Sequence, residues 1–112
     1  MKEIRDILKA EILYGENHLE DEIELAGASD LMSDVLTLAT PGMLLITGLV
    51  NPQVIRTAVM VDMKAVVIVR GKVPPPQTVE LARRYDIPLL RTDMKMYKAC
   101  GELYSKGLKG LD

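Results

Sequence analysis

The tripeptide Arg70-Gly71-Lys72 is the stretch of this sequence best suited to meeting an anion. Glycine lets backbone N–H groups come close to a phosphate or carboxylate, and here two cations flank it just ahead of a helix. The competing reading is a tight turn whose Arg70 and Lys72 are simply solvated. Two other turns have a related character. Thr47-Gly48 through Asn51 offers a backbone cradle with Asn51 as a donor, or else an ordinary helix cap. Thr92-Asp93 reads either as an N-cap or as a hydrogen-bonding pair for ribose or phosphate-bound groups. The candidate ligand-binding residues are therefore Thr47, Gly48, Asn51, Arg70, Gly71, Lys72, Thr92 and Asp93.

The remaining reactive side chains point to less. Gly27-Ala28-Ser29-Asp30 brings a carboxylate to a loop, but a helix start capped by Ser29 or Asp30 explains it fully. His18 has no Cys or His partner at metal-ligand spacing, and among the five carboxylates from Glu16 to Glu24 it reads as a surface residue. Those carboxylates lack the Asp-x-Asp-x-Asp-Gly order of a calcium loop. Cys100 falls on an apolar helix face with no basic partner to activate it. The phosphate-binding spacing Gly-x4-Gly-Lys-Ser/Thr does not occur. The expectation is a chain with no catalytic residues, no metal and no cofactor.

The three turns are placed by one repeated unit: a buried strand, a polar turn, a helix. Met43–Thr47 leads through Gly48–Asn51 to a helix from Pro52, with Val54, Ile55, Ala58 and Val59 inward. Ala65–Val69 leads through Arg70–Lys72 to a helix opening near Pro75-Pro76, with Val79, Ala82 and Tyr85 inward. Ile87–Arg91 leads through Thr92-Asp93 to a helix burying Met96, Tyr97, Cys100, Leu103 and Tyr104, and Gly107 stops it. Gly48 to Gly71 and Pro52 to Pro75 are both 23 residues apart. Before these units come a short amphipathic helix at Lys2–Lys9 and a strand at Glu11–Tyr14. A half-exposed strand at Glu22–Ala26 follows, then a helix carrying Leu31, Met32, Val35, Leu36 and Ala39. Continuous apolar strands alternating with helices imply a mainly parallel sheet covered on both faces. Right-handed crossovers then put all three turns on one edge, where open α/β sheets collect ligands.

Composition narrows the partners. The 112 residues are 48% hydrophobic and fit one domain, 1–112, which a second copy would help to stabilise. A net charge of -2, with neither Phe nor Trp, argues against nucleic acid as a partner. The most apolar windows, Met43–Val50 and Ala65–Val69, are too short to cross a bilayer, so no membrane is expected. One cysteine cannot form an intrachain disulfide, and the expected compartment is the cytoplasm.

Four segments in order carry a family resemblance: Gly27-Ala-Ser-Asp-Leu-Met-Ser-Asp-Val-Leu36, Leu44-Leu-Ile-Thr-Gly48, Val66-Val-Ile-Val-Arg-Gly-Lys72 and Ile87-Pro-Leu-Leu-Arg-Thr-Asp93. From about Ile12 to Leu108 the chain resembles a DRTGG domain, similar to the N-terminal domain of HPr kinase/phosphorylase. Where the family pattern runs Gly-Asp-Arg, this chain has Gly48-Leu49-Val50-Asn51; where it runs Thr-Gly-Gly, it has Arg70-Gly71-Lys72. The resemblance implies a three-layer α/β/α sandwich, a regulatory rather than catalytic role, and self-association into homodimers. A kinase label does not carry over, because the kinase's phosphate-binding loop and catalytic domain are absent. The form Leu45-Ile-Thr-Gly-Leu-Val-Asn-Pro-Gln-Val-Ile-Arg-Thr-Ala58, with Lys98-Ala-Cys-Gly-Glu-Leu-Tyr104, is similar to stand-alone members of anaerobic bacteria associated with hydrogenase subunits. The expectation is a ligand-sensing homodimer that binds an anionic metabolite or nucleotide at the turn edge. The alternatives are a structural module docking on a larger hydrogenase-related or signalling partner, and, least favoured, a small phosphotransfer enzyme.

Overall fold

The computed structural model describes residues 1–112. Its elements run α1 (Lys2–Leu8), β1 (Glu11–Tyr14), a 3-10 turn (Glu16–His18), β2 (Ala26–Ala28), α2 (Met32–Leu38), β3 (Leu44–Thr47) and α3 (Pro52–Met60). They continue with β4 (Ala65–Ile68), α4 (Pro76–Tyr85), β5 (Leu89–Arg91) and α5 (Met96–Ser105). The five strands form one sheet in the order β1-β5-β4-β3-β2. β2, β3, β4 and β5 are parallel, and β1 closes one edge antiparallel to β5, pairing Glu11 with Arg91.

Every residue of β3 and β4 is buried, which the alternation of side chains along a strand explains only if both faces are covered. Leu45, Val66, Ile68 and Leu89 face a core shared with Val35 of α2, Val54, Ile55 and Ala58 of α3, and Ala82 of α4. Leu44, Ile46, Val67 and Leu90 face the other core, with Ile4 and Leu8 of α1 and Ala99 and Leu103 of α5. The architecture is a three-layer α/β/α sandwich, as expected. No helix is long and apolar enough to cross a membrane.

Several local expectations are corrected. The second strand is Ala26–Ala28, not Glu22–Ala26: Gly27 and Ala28 lie in the ladder with β3 rather than breaking it. The third repeated unit starts its strand at Leu89, after Ile87-Pro88. Tyr85, Tyr97 and Tyr104 point outward, Tyr97 being 93% exposed, and α5 instead buries Ala99 and Leu103 with Met96 and Cys100 half-buried. The small Ala99 lets α5 lie close to the sheet, where a tyrosine ring would hold it off.

Candidate functional site

Four parallel strands, β2 to β5, deliver their carboxyl ends to one edge, and backbone bonds stitch the turns after β3, β4 and β5 together there. Val69 N–H donates to the Thr47 carbonyl, and Thr92 N–H to the Ile68 carbonyl, each at 2.9 Å. Arg70 and Gly71 both adopt the left-handed conformation at φ 68, which Gly71 takes freely and Arg70 only with strain. Their N–H groups point inward, to the Met94 carbonyl at 2.7 Å and the Thr92 carbonyl at 2.9 Å. From outside, the Arg91 guanidinium donates to the Gly71 carbonyl at 2.9 Å and the Lys72 carbonyl at 3.2 Å. Neither the Arg70 nor the Gly71 amide is free for an anion, contrary to the simplest reading of a glycine turn.

The amide that does face the edge is that of Gly48, and it is in use. Asp30 Oδ1 accepts from Gly48 N–H at 2.6 Å and from the Thr47 hydroxyl at 3.1 Å. Asp30 Oδ2 accepts from Arg70 Nη2 at 3.1 Å. Thr47 Oγ1 in turn accepts from Leu49 N–H at 3.2 Å, which orients the hydroxyl. The Gly48 hydrogen bond, with help from Thr47 and Arg70, holds the Asp30 carboxyl below its usual range, so it is ionised at neutral pH. Asp30 is thus no helix cap: α2 begins at Met32 with no side-chain cap, and Ser29 Oγ accepts from Leu31 N–H.

The other candidates separate into exposed side chains and ones engaged in the fold. Lys72 is exposed and forms no ion pair. Asp93 is exposed beside Arg91, at 3.5 Å, and an oxygen of Asp93 would stand 3.1 Å from a Cβ on Gly71. Asn51 caps α3, accepting from Gln53 N–H at 3.0 Å. Thr92 turns inward: its buried hydroxyl donates to the Leu8 carbonyl at 2.7 Å and accepts from Met94 N–H at 3.2 Å, so it caps no helix. The structure therefore brings together Thr47, Gly48 and Arg70, with Gly71, Lys72 and Asp93 beside them, and it adds Asp30 and Arg91. A correct placement of β2 would have found Asp30, because a residue just past a parallel strand falls on the same edge as Thr47-Gly48.

Two features lie away from this edge. His18 is half-buried, not simply exposed: Nδ1 is 2.7 Å from Asp21 and Nε2 2.8 Å from Asp86, and Asp86 also accepts from the Tyr14 hydroxyl at 2.5 Å. The Asp86 hydrogen bond, seconded by Asp21, raises the His18 pKa. A concavity of about 410 Å³ flanks the edge strand β2 and is walled by Asp34, Val35 and Leu38 of α2, Ala28, Leu45 and Met63. Burial pushes the Cys100 thiol up, away from nucleophilic chemistry.

A DRTGG domain model matches residues 3–104. Comparison with curated proteins gave no match. Among solved structures, the chain is similar to the CBS and DRTGG domains of the regulatory region of Clostridium perfringens pyrophosphatase, complexed with its activator diadenosine tetraphosphate. The TM-score is 0.75 at 15% identity, covering 92% of this chain and 45% of that one. At that identity the likeness is one of fold, and the chain spans less than half of its neighbour's length.

Proposed function

Because the chain belongs to the DRTGG domain family, we propose that it is a non-catalytic regulatory domain that senses an anionic small molecule of phosphate or nucleotide type. The observation that carries this reading is the convergence of the Gly48 amide, the Thr47 hydroxyl and the Arg70 guanidinium on a single carboxylate. That set of donors already holds an anion, and Lys72, two residues after Arg70, is exposed and in no ion pair. The nucleotide class draws support from the diadenosine tetraphosphate bound by the pyrophosphatase regulatory region. On this reading the domain acts by binding and not by chemistry of its own, and the Thr47 hydroxyl bonded to Asp30 serves to hold an anion. We place it in the cytoplasm as a homodimer.

Calorimetric titration of ATP and of diadenosine tetraphosphate tests this, with Arg70→Ala and Lys72→Ala as controls. Heat of binding that both substitutions reduce is the expected result. Heat that is absent, or unchanged in both variants, overturns the reading, and turnover of ATP by the purified protein overturns its non-catalytic part.

A second reading has its own observation. The cavity beside β2 is lined mostly by apolar residues, and Leu31, Leu36, Leu38 and Leu111 are exposed. Such a surface suits docking onto a larger protein, including a hydrogenase-related or signalling partner. Co-purification with one large protein, abolished by Leu38→Asp, would favour it over small-molecule sensing.

A further inference from the structure

We infer that Asp30 is a built-in competitor for the anion seat, and that a phosphate group exchanging with it unties helix α2. This rests on the anion-site reading above and adds how that site is regulated. The donors that would hold a phosphate are the same ones that hold Asp30: Gly48 N–H, the Thr47 hydroxyl and the Arg70 guanidinium. The neighbouring turn offers no substitute, since the Arg70 and Gly71 amides are spent on the Met94 and Thr92 carbonyls. A ligand anion and Asp30 therefore cannot occupy the seat together; like charges at that separation repel. The exchange is open to solvent, because the Asp30 and Arg70 side chains are each 40% exposed. A dianionic phosphate brings more charge and more acceptor oxygens than the carboxylate it replaces.

Asp30 is also the tie between the edge and α2. It stands in the short loop joining β2 to α2, and α2 buries only Val35 and has no side-chain N-cap. The Asp34 and Val35 amides bond to the Leu31 carbonyl, one residue beyond Asp30. Asp34, Val35 and Leu38 form the wall of the 410 Å³ cavity beside β2. Displacing Asp30 thus removes the restraint on the start of α2 and reshapes an apolar surface on the flank of the sheet. The anion seat becomes the input and the α2 wall the output of one two-state element.

Pyrophosphate is the probe, titrated into the wild-type chain and Asp30→Asn while the Gly48 amide is followed by NMR and the Asp34 and Val35 amides by hydrogen exchange. The asparagine keeps an oxygen for Gly48 N–H but loses the competing charge. The expected result is binding at least about tenfold tighter in Asp30→Asn. In the wild type, pyrophosphate should also shift Gly48 and accelerate exchange at Asp34 and Val35. Pyrophosphate that shifts Lys72 in both proteins with equal affinity, leaving Gly48 and α2 unchanged, overturns the exchange while the anion site survives. Pyrophosphate that binds neither protein overturns the site and the exchange together. Should Asp30→Asn fail to fold, the wild-type α2 exchange decides alone.

Discussion

Gly48 and Arg70 are packed so closely that a methyl group on Gly48 would fall inside the Arg70 guanidinium. The obstacle is the free end of a long side chain, which can swing into solvent. At Gly15, by contrast, φ is 109 and an added Cβ would lie 2.8 Å from Pro88 Cα, which cannot move aside. The same substitution should therefore have opposite consequences at the two sites. Gly48→Ala is expected to cost at most about 1 kcal/mol, the scale of an exposed ion pair, and to weaken anion binding as Arg70→Ala should. Gly15→Ala is expected to cost about 1–3 kcal/mol and leave binding intact. Urea denaturation and calorimetry on the two variants check both.

Lys72 and Arg70 should also part company. Lys72 is exposed and unpaired, so Lys72→Ala is expected to change stability by less than about 0.5 kcal/mol and still weaken ATP or pyrophosphate binding. The loss should shrink as salt rises, since an exposed charge is screened. Titrations at low and high salt measure this.

Thr92 is a candidate by sequence that the structure assigns to holding the fold together. Thr92→Val strips the Leu8 carbonyl and the Met94 amide of a buried partner and is expected to destabilise by about 1–3 kcal/mol. Anion affinity measured on the folded variant should be unchanged. A drop in affinity without a drop in the urea midpoint would move Thr92 back into the site.

His18 gives a pH dependence with a definite sign. Its folded pKa is raised, chiefly by Asp86 and next by Asp21, so the stabilisation is fully present below its unfolded value of about 6.5. It is lost as pH rises through the folded value. As a neutral imidazole, His18 can donate to only one of its two carboxylates. Thermal melts across that window should fall in the wild type and stay flat in His18→Gln.

The parts of the fold legible in the sequence are those governed by neighbours along the chain. Asn51-Pro52 marks the start of α3 because cap and first-turn proline act within one turn. The runs Leu44–Thr47 and Ala65–Ile68 declare buried strands by composition alone. Ala26-Gly27-Ala28 does not, because its residues have little intrinsic strand preference and pairing with β3 imposes the conformation. The role of Asp30 was hidden for a related reason. Ser29-Asp30 ahead of a helix matches a cap, whereas Gly48 and Arg70 are 18 and 40 residues away. The tyrosines of α5 satisfied helical periodicity, but periodicity does not say which side of an amphipathic stripe the sheet accepts.

The antiparallel pairing of β1 with β5 has a consequence for how the chain is made on the ribosome. Glu11 needs Arg91 as its partner, and the Leu8 carbonyl needs the Thr92 hydroxyl 84 residues later. At ordinary rates of synthesis that interval is on the order of ten seconds. During it, α1 and β1 have emerged with their apolar sides uncovered, waiting for the strand that will seat them. This early segment of the domain is therefore among the last of its parts to be folded, and a chaperone has that whole interval in which to bind it.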